Sequence, residues 1–268
     1  MALAEMEPAS ISVFHDEVYF MLRRSIYVVT ALLSMMFYSS AQASISLSST
    51  RVVFDAKDKE ASITVRNSGA NEVLVQSWLE SNNQAGDSIP FAITPPLARL
   101  DGNGQQVLRI LFQGSGVPTN RESAFWLNVQ EIPQKAEGKN ILQLAVRQRI
   151  KMFYRPAGLP GEARKAASEL KWQLQGHGKN AALQVQNNSA FHVSMIDLKV
   201  TGAQLADTNN NRHMVAPGET RSIPLSNTAE KTPVKLSFIS INDFGGGDHY
   251  KAELKSGTPV QAIQDKSR

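Results

Sequence analysis

From Ile141 to Pro156 the chain reads I-L-Q-L-A-V-R-Q-R-I-K-M-F-Y-R-P. At period two the even positions are Leu142, Leu144, Val146, Gln148, Ile150, Met152 and Tyr154. The odd ones from Arg147 onward are Arg147, Arg149, Lys151, Phe153 and Arg155. Such alternation puts successive side chains on opposite faces of a β-strand, and it runs for about fourteen residues where strands usually have about five or six. A strand so long and apolar, placed at a sheet edge, invites pairing with another chain. Either it is buried within a sheet or it is exposed because something pairs with it, and that choice decides what the chain does.

The beginning of the chain bears on where that happens. Residues 21–25 (M-L-R-R-S) are basic, Ile26–Phe37 is apolar, and Ala41-Gln42-Ala43 is a run suited to cleavage. Together they predict a secretory signal peptide over 21–43 rather than a membrane span, because the apolar run is shorter than the roughly 20 residues a span needs. Residues 1–20 precede it and are expected to be an upstream extension outside the native structure. The expected mature chain, Ser44–Arg268, holds 26 basic and 20 acidic residues, a net charge of +6. Its Lys and Arg are scattered, with no run of five like charges, so the excess reads as a solvated surface and not as a nucleic-acid or membrane footprint. There are no cysteines, which excludes disulfide staples and thiolate metal sites and leaves stability to hydrophobic cores.

Strand patterns fill the mature chain. Ile45–Asp55, Ala61–Asn67, Glu72–Glu80, Ile89–Thr94, Gln105–Phe112, Ala124–Glu131 and Ile141–Tyr154 alternate or run apolar. Turn chemistry such as Asn67-Ser68-Gly69 and Asp101-Gly102-Asn103-Gly104 separates them. That count and spacing predict an immunoglobulin-like sandwich over 44–155. Pro156–Glu162 is rich in Pro and Gly and reads as a hinge. A second, smaller sandwich is expected over 163–257, from strands at Leu170–Gln175, Ala181–Asn187, His192–Thr201, Thr220–Leu225, Val234–Asn242 and His249–Leu254. Residues 258–268 carry no pattern and read as a loose tail. The fold class is therefore all-β, two immunoglobulin-like domains joined by a short hinge.

Enzyme chemistry is not visible. His177, His192, His213 and His249 lie far apart without metal-ligand spacing, and no nucleophile elbow, phosphate-cradling loop or paired carboxylates occur. Gly245-Gly246-Gly247 reads as a turn, and Asn187-Asn188-Ser189 fits a glycosylation sequon only formally. No catalytic residue, cofactor or metal is expected.

Val117–Pro133, V-P-T-N-R-E-S-A-F-W-L-N-V-Q-E-I-P, resembles position for position the signature of the periplasmic pilus-assembly chaperones of the chaperone–usher pathway. The resemblance continues through Asn140–Pro156, touches Ser49–Phe54, Thr94–Pro96 and Arg99-Leu100, and returns in Ser240–Gly246, S-I-N-D-F-G-G. It implies a periplasmic protein whose two sandwiches meet at a cleft in a boomerang arrangement. Its partners would be pilus subunits and an outer-membrane usher, with no nucleic acid and no stable membrane insertion. It also implies that the strand Ile141–Tyr154 lies at an open edge and completes a subunit that lacks its own last strand, a form of β-augmentation. Leu142, Leu144 and Val146 would fill subunit pockets, contributing on the order of 5–8 kcal/mol before ordering costs.

Further roles follow from the same resemblance. Arg51 and Lys151 would clamp the subunit's C-terminal carboxylate and so fix the register. Glu122, Arg155 and Asp243 would meet as an ion network between the domains, and Thr94-Pro95 would be cis. Lys151 has the opposite parity to the donor residues, so only a bulge, a strong twist or the approach to the hinge would bring them to one side. The short connection Gln134–Asn140 resembles the short-loop members that serve rod-like pili. Two other readings stay open on the residues alone. In a secreted adhesive or receptor-type sandwich, Leu142, Leu144 and Val146 would be core. In a periplasmic hydrolase, acids or histidines would gather in a cleft.

Overall fold

The computed structural model describes Tyr27 and residues 45–81, 88–134, 144–176, 178–206, 212–226, 234–255 and 257–266. The chain divides into two compact units, Met1–Gln42 and Ala43–Arg268, and the second unit contains both β-sandwich domains. The expected extension, the signal peptide apart from Tyr27, residues 135–143 with Leu142 among them, and Asn209–Asn211 lie outside the described residues. Among the described residues no helix is long and apolar enough to cross a membrane.

The first domain holds β1 (Ile45–Leu47), β2 (Arg51–Asp55), β3 (Glu60–Asn67), β4 (Val73–Ser81), β5 (Phe91–Thr94), β6 (Leu97–Leu100), β7 (Gln105–Phe112), β8 (Ser123–Ile132) and β9 (Arg147–Arg155). They form two packed sheets, ordered β1-β3-β7-β5 and β2-β9-β8-β4-β6. Between them lie Phe54, Val65, Ile110, Leu127, Val129, Met152 and Tyr154, all buried. Phe91 sits 5.0 Å from Phe125 and 5.3 Å from Tyr154, in edge-on contacts that suit aromatic quadrupoles.

The expected single strand Ile45–Asp55 is in fact two. At Ser48–Thr50 the chain leaves one sheet for the other: Ile45 pairs with Asn67, whereas Arg51 pairs in parallel with Lys151. The Ser49 hydroxyl donates to the carbonyl of Arg51 at 2.7 Å, closing a local turn that competes with straight strand pairing. The Thr94-Pro95 peptide is cis. β6 follows it, a short strand that the pattern alone did not reveal.

In the second domain β10 (Lys171–Gln175), β11 (Ala182–Gln186), β13 (Gln204–Leu205), β15 (Thr220–Ser226) and β18 (Val260–Gln261) form one sheet. The other holds β12 (Val193–Val200), β14 (Arg212–Val215), β16 (Val234–Ile241), β17 (Gly247–Leu254) and β19 (Ile263–Gln264). A short helix α1 (Ala166–Glu169) precedes β10 and buries Ala166 and Ala167 in the core. Trp172, Phe238 and Tyr250 stack through that core at 5.1 and 5.2 Å between ring centroids. Asn187 is buried there. Its amide donates to the carbonyls of Phe191 and Val215 at 2.7 and 3.1 Å, which accounts for it as a structural residue.

Residues 258–266 are not a loose tail. β18 pairs with β10 and β19 with β17, and Ala262 between them is buried in the second core. The tail has no readable pattern because each strand is only two residues long, too short for periodicity to register. Truncating the chain after Thr258 should therefore lower the thermal midpoint of the second domain by about 5–10 °C, measured by calorimetry. An unchanged midpoint would return the tail to the solvent.

Candidate functional site

β9 is shorter than the expected fourteen-residue strand. Regular pairing starts at Arg147, although the amide of Glu131 still donates to the carbonyl of Val146 at 2.9 Å, so the chain already runs alongside β8 there. On its other side β9 is covered by β2 only from Lys151 to Arg155. Among the described residues no strand pairs with that outer edge from Arg147 to Ile150. The sheet switch at Ser48–Thr50 is the cause: upstream of Arg51 the first strand belongs to the opposite sheet.

Parity along this edge is unbroken. The pairing of β9 with β8 runs without interruption from Gln130↔Arg147 to Ser123↔Tyr154, so there is no bulge. Met152 and Tyr154 point into the first core, with Ile150 half-buried against it. Val146 and Leu144 share that parity beyond the end of the core and are 38% and 71% exposed. The burial that the adhesive reading needs is absent at Leu144. Lys151 has the opposite parity to Leu144 and Val146, and its ammonium reaches the second domain.

Arg51 and Lys151 are register partners on β2 and β9 and share one face. Each is held by the second domain: Arg51 Nη1 donates to the carbonyl of Ile241 at 2.9 Å, and Lys151 Nζ to the Ser194 hydroxyl at 2.9 Å. Around them a cleft of about 870 Å³ is lined by Thr50, Trp126, Arg149, Ser194 and Arg221. Lys151 lies 5.9 Å and Arg149 4.2 Å from the Trp126 ring centroid. Arg149 is paired with Glu80 and Arg221 with Glu219. No ion pair joins Arg51 or Lys151 to a carboxylate among the described residues. Burial, reinforced by the charges of Arg51 and Arg221, lowers the Lys151 ammonium to about 8. Burial also lowers the Arg51 guanidinium, against the opposing charges of Asp243 and Glu122. Two cations held close together and partly dehydrated constitute a site for an anion.

Glu122, Arg155 and Asp243 come together between the domains. Arg155 donates to Glu122 Oε2 through Nε and Nη2 at 3.1 and 2.8 Å, and to Asp243 Oδ2 through Nη1 at 2.9 Å. The Glu122 side chain is 2% exposed. Burial works against the Arg155 charge, but the hydrogen bond it donates to Asp243 and the charge of Glu122 outweigh it and raise the guanidinium above its ordinary value. Asp243 sits on the β16–β17 turn, where Gly245 has φ +85° and passes so near Thr50 that a Cβ would lie 2.3 Å from its hydroxyl oxygen. Only glycine permits that approach of the second domain to the first.

Three contributors were not visible in the sequence. Ser194, the carbonyl of Ile241 and His192 reach the site across 43, 190 and 70 residues of chain. His192, one of the scattered histidines, donates its backbone amide to Glu122 Oε1 at 2.9 Å and places Nδ1 3.0 Å from the same oxygen. No pattern of spacing flags contacts of this kind.

A profile described as pili and flagellar-assembly chaperone, PapD N-terminal domain, matches residues 44–160. A second, described as pili assembly chaperone PapD, C-terminal domain, matches residues 165–252. Among curated proteins, the chain is 39% identical over 227 residues to the chaperone protein LpfB of Salmonella typhimurium, covering 83% of this chain and 94% of that one. It is 36% identical over 226 residues to the chaperone protein FimB/FhaD of Bordetella pertussis, covering 80% and 90%. Among solved structures, the YadV chaperone superposes with a TM-score of 0.65 at 36% identity, over 79% of this chain and 100% of that one. The SafB chaperone in complex with the SafA pilin of Salmonella enterica gives a TM-score of 0.67 at 26% identity, over 81% and 99%.

Replacing Arg155 with Ala leaves the Glu122 carboxylate buried without its guanidinium, and losing one partner of a buried pair typically costs about 3–5 kcal/mol. The variant should unfold at lower denaturant than the parent, and equilibrium unfolding followed by tryptophan fluorescence reads the difference. A shift below about 0.5 kcal/mol would mean the network does not hold the domains.

Proposed function

The chain belongs to the pilus-assembly chaperones, and on that premise we propose that it works in the periplasm, where it captures pilus subunits by lending them its β9 edge and delivers them to an outer-membrane usher. The observation that carries the reading is the half-covered edge: Arg147–Ile150 keep unpaired backbone groups on one side. Unpaired amides and carbonyls template an incoming strand. Leu144 and Val146 stand exposed at the start of that edge, with the side chains an incomplete sandwich lacks. Leu142, which has the same parity, is proposed as the third donor residue.

At the other end of the edge, Arg51 and Lys151 meet the requirements for holding a terminal carboxylate. The guanidinium supplies a planar fork and the ammonium a compact charge, and neither is neutralised by a carboxylate of the described chain. With the carboxylate fixed at Lys151, a partner strand running along β9 has its register set, since a slip by one residue would turn every side chain to the wrong face. Glu122, Arg155 and Asp243 serve the same end by holding the second domain where Ser194 and Ile241 can steady the two cations. The most direct test is co-expression with candidate pilus subunits in a bacterial periplasm. A subunit should co-purify with the protein, and recovery of none would overturn the proposal.

Lys151→Met should leave the fold intact and lose capture. The wild-type protein should also respond to pH in a particular way. Lys151 titrates near 8 when folded, against 10.5 as its ordinary value, and only the ammonium pairs with a carboxylate. Capture should therefore stay level below about pH 8 and weaken by up to about tenfold per pH unit above it. Stability moves the other way. Because the folded value is depressed, this residue's contribution is least favourable below about 8 and is relieved as pH rises toward 10.5. Affinity and melting profiles of wild type and Lys151→Met, side by side from pH 6 to 10, check both slopes.

Leu144→Arg tests the donor residues. At 71% exposure the substitution should change folding stability by no more than about 0.5 kcal/mol. In the complex it would force an unpaired charge into an apolar pocket, and capture should collapse. An unchanged melt together with intact capture would place the binding surface elsewhere.

A further inference from the structure

Glu122 is the most heavily bonded carboxylate at the domain boundary, and Arg155 accounts for only one of its oxygens. Oε2 accepts both guanidinium bonds, while Oε1 accepts from the His192 backbone amide at 2.9 Å and faces His192 Nδ1 at 3.0 Å. A carboxylate can only accept here, so Nδ1 must carry the proton and donate. The His192 side chain is 7% exposed, and its ring lies 5.7 Å from that of Phe153 on β9, tilted by 42°. His192 immediately precedes β12, the strand that carries Ser194, the hydroxyl that receives Lys151. Phe153 is two residues from Lys151 on the same face of β9. One short segment of the second domain therefore reaches both the buried network and the clamp.

We propose that His192 is a positioning residue for partner capture: its Nδ1–H bond to Glu122 fixes the start of β12 against the first domain, and thereby fixes the Ser194 hydroxyl beneath Lys151. The ring and the proton have separable tasks. Contact with Phe153 fills space between the domains, whereas the Nδ1–H joins the His192 backbone amide on the second oxygen of a buried carboxylate and helps orient it toward Arg155. Without that donor, Oε1 keeps only the His192 backbone amide, so Glu122 is less firmly oriented and the start of β12 gains freedom against the first domain. Arg155–Asp243, Arg51–Ile241 and Lys151–Ser194 still join the two domains. The inference rests on the reading of Arg51 and Lys151 as the anion clamp for its consequence in binding, but its consequence for domain geometry stands apart from that reading.

Three variants separate these tasks. His192→Phe keeps an aromatic ring beside Phe153 and removes the donor. His192→Asn gives up the ring but retains an amide donor at the position of Nδ1. His192→Ala removes both. The sequence contains no cysteine, so cysteines introduced at the exposed positions Lys57 and Lys235 give a clean spin-label pair with one label in each domain. The binding probe is a synthetic peptide of alternating Leu and Thr with a free C-terminal carboxylate, with its amidated counterpart as control.

His192→Phe and His192→Ala should broaden the interdomain distance distribution and weaken peptide binding roughly tenfold, the scale of one lost charge-assisted hydrogen bond. His192→Asn should restore both to within about threefold of wild type. In a Glu122→Gln background, His192→Phe should add nothing further, because the effect passes through the carboxylate. A wild-type distance distribution in His192→Phe would overturn the proposal, as would a defect in His192→Asn equal to that in His192→Ala. If wild type itself fails to prefer the free carboxylate, the clamp reading fails, while the distance measurement still decides the role of His192.

Discussion

The buried carboxylate of Glu122 is the point on which the two domains depend. A carboxylate that is 2% exposed persists only if charge and hydrogen bonds replace the water it has lost. Here those partners come from different parts of the chain: Arg155 at the end of β9, and His192 at the entry to β12. Satisfying this one group therefore requires the two sandwiches to meet in one particular way. Arg155 extends the constraint to Asp243, whose turn can approach only because Gly245 lacks a Cβ. Such a network does more to specify orientation than to add net stability, since much of its electrostatic gain offsets the cost of desolvation.

The proposed clamp inherits this arrangement. Arg51 and Lys151 belong to the first domain, yet the oxygens that steady them, from Ile241 and Ser194, belong to the second. Neither cation has its observed setting in the first domain alone. On the proposed reading, the domain boundary would form part of the binding site, and burial together with the charges of Arg51 and Arg221 lowers the Lys151 ammonium there.

Much of this could be read from the residues. Period-two alternation located most long strands, because a half-buried strand writes its burial directly into the sequence. Val117–Pro133 supplied the family resemblance that the comparisons bear out. Legibility failed where structure is set by partners and not by pattern. Nothing in Ile45–Asp55 announces a change of sheet, since both halves alternate equally well. β18 and β19 are too short to show a period, and their place is decided by open edges at β10 and β17. The opposite parity of Lys151 and the proposed donor residues, for which the sequence suggests a bulge, a strong twist or the approach to the hinge, meets no bulge within β9 from Arg147 to Tyr154. His192 and Ser194 gave no signal at all, since a lone histidine or serine at a strand entrance is ordinary until the tertiary contact is known.

The sheet switch at Ser48–Thr50 also bears on solubility. It leaves a sticky edge on a protein that must remain dispersed at whatever concentration its compartment holds. Two copies meeting edge to edge along the open part of β9 would bring Arg147 and Arg149 of each against the same pair of the other, and facing like charges destabilise paired strands. Charged side chains are a common means of blunting exposed edges. The same pair imposes no such penalty on a strand that arrives with an anionic end. A single run of basic residues thus disfavours self-association while leaving the edge free for a different chain.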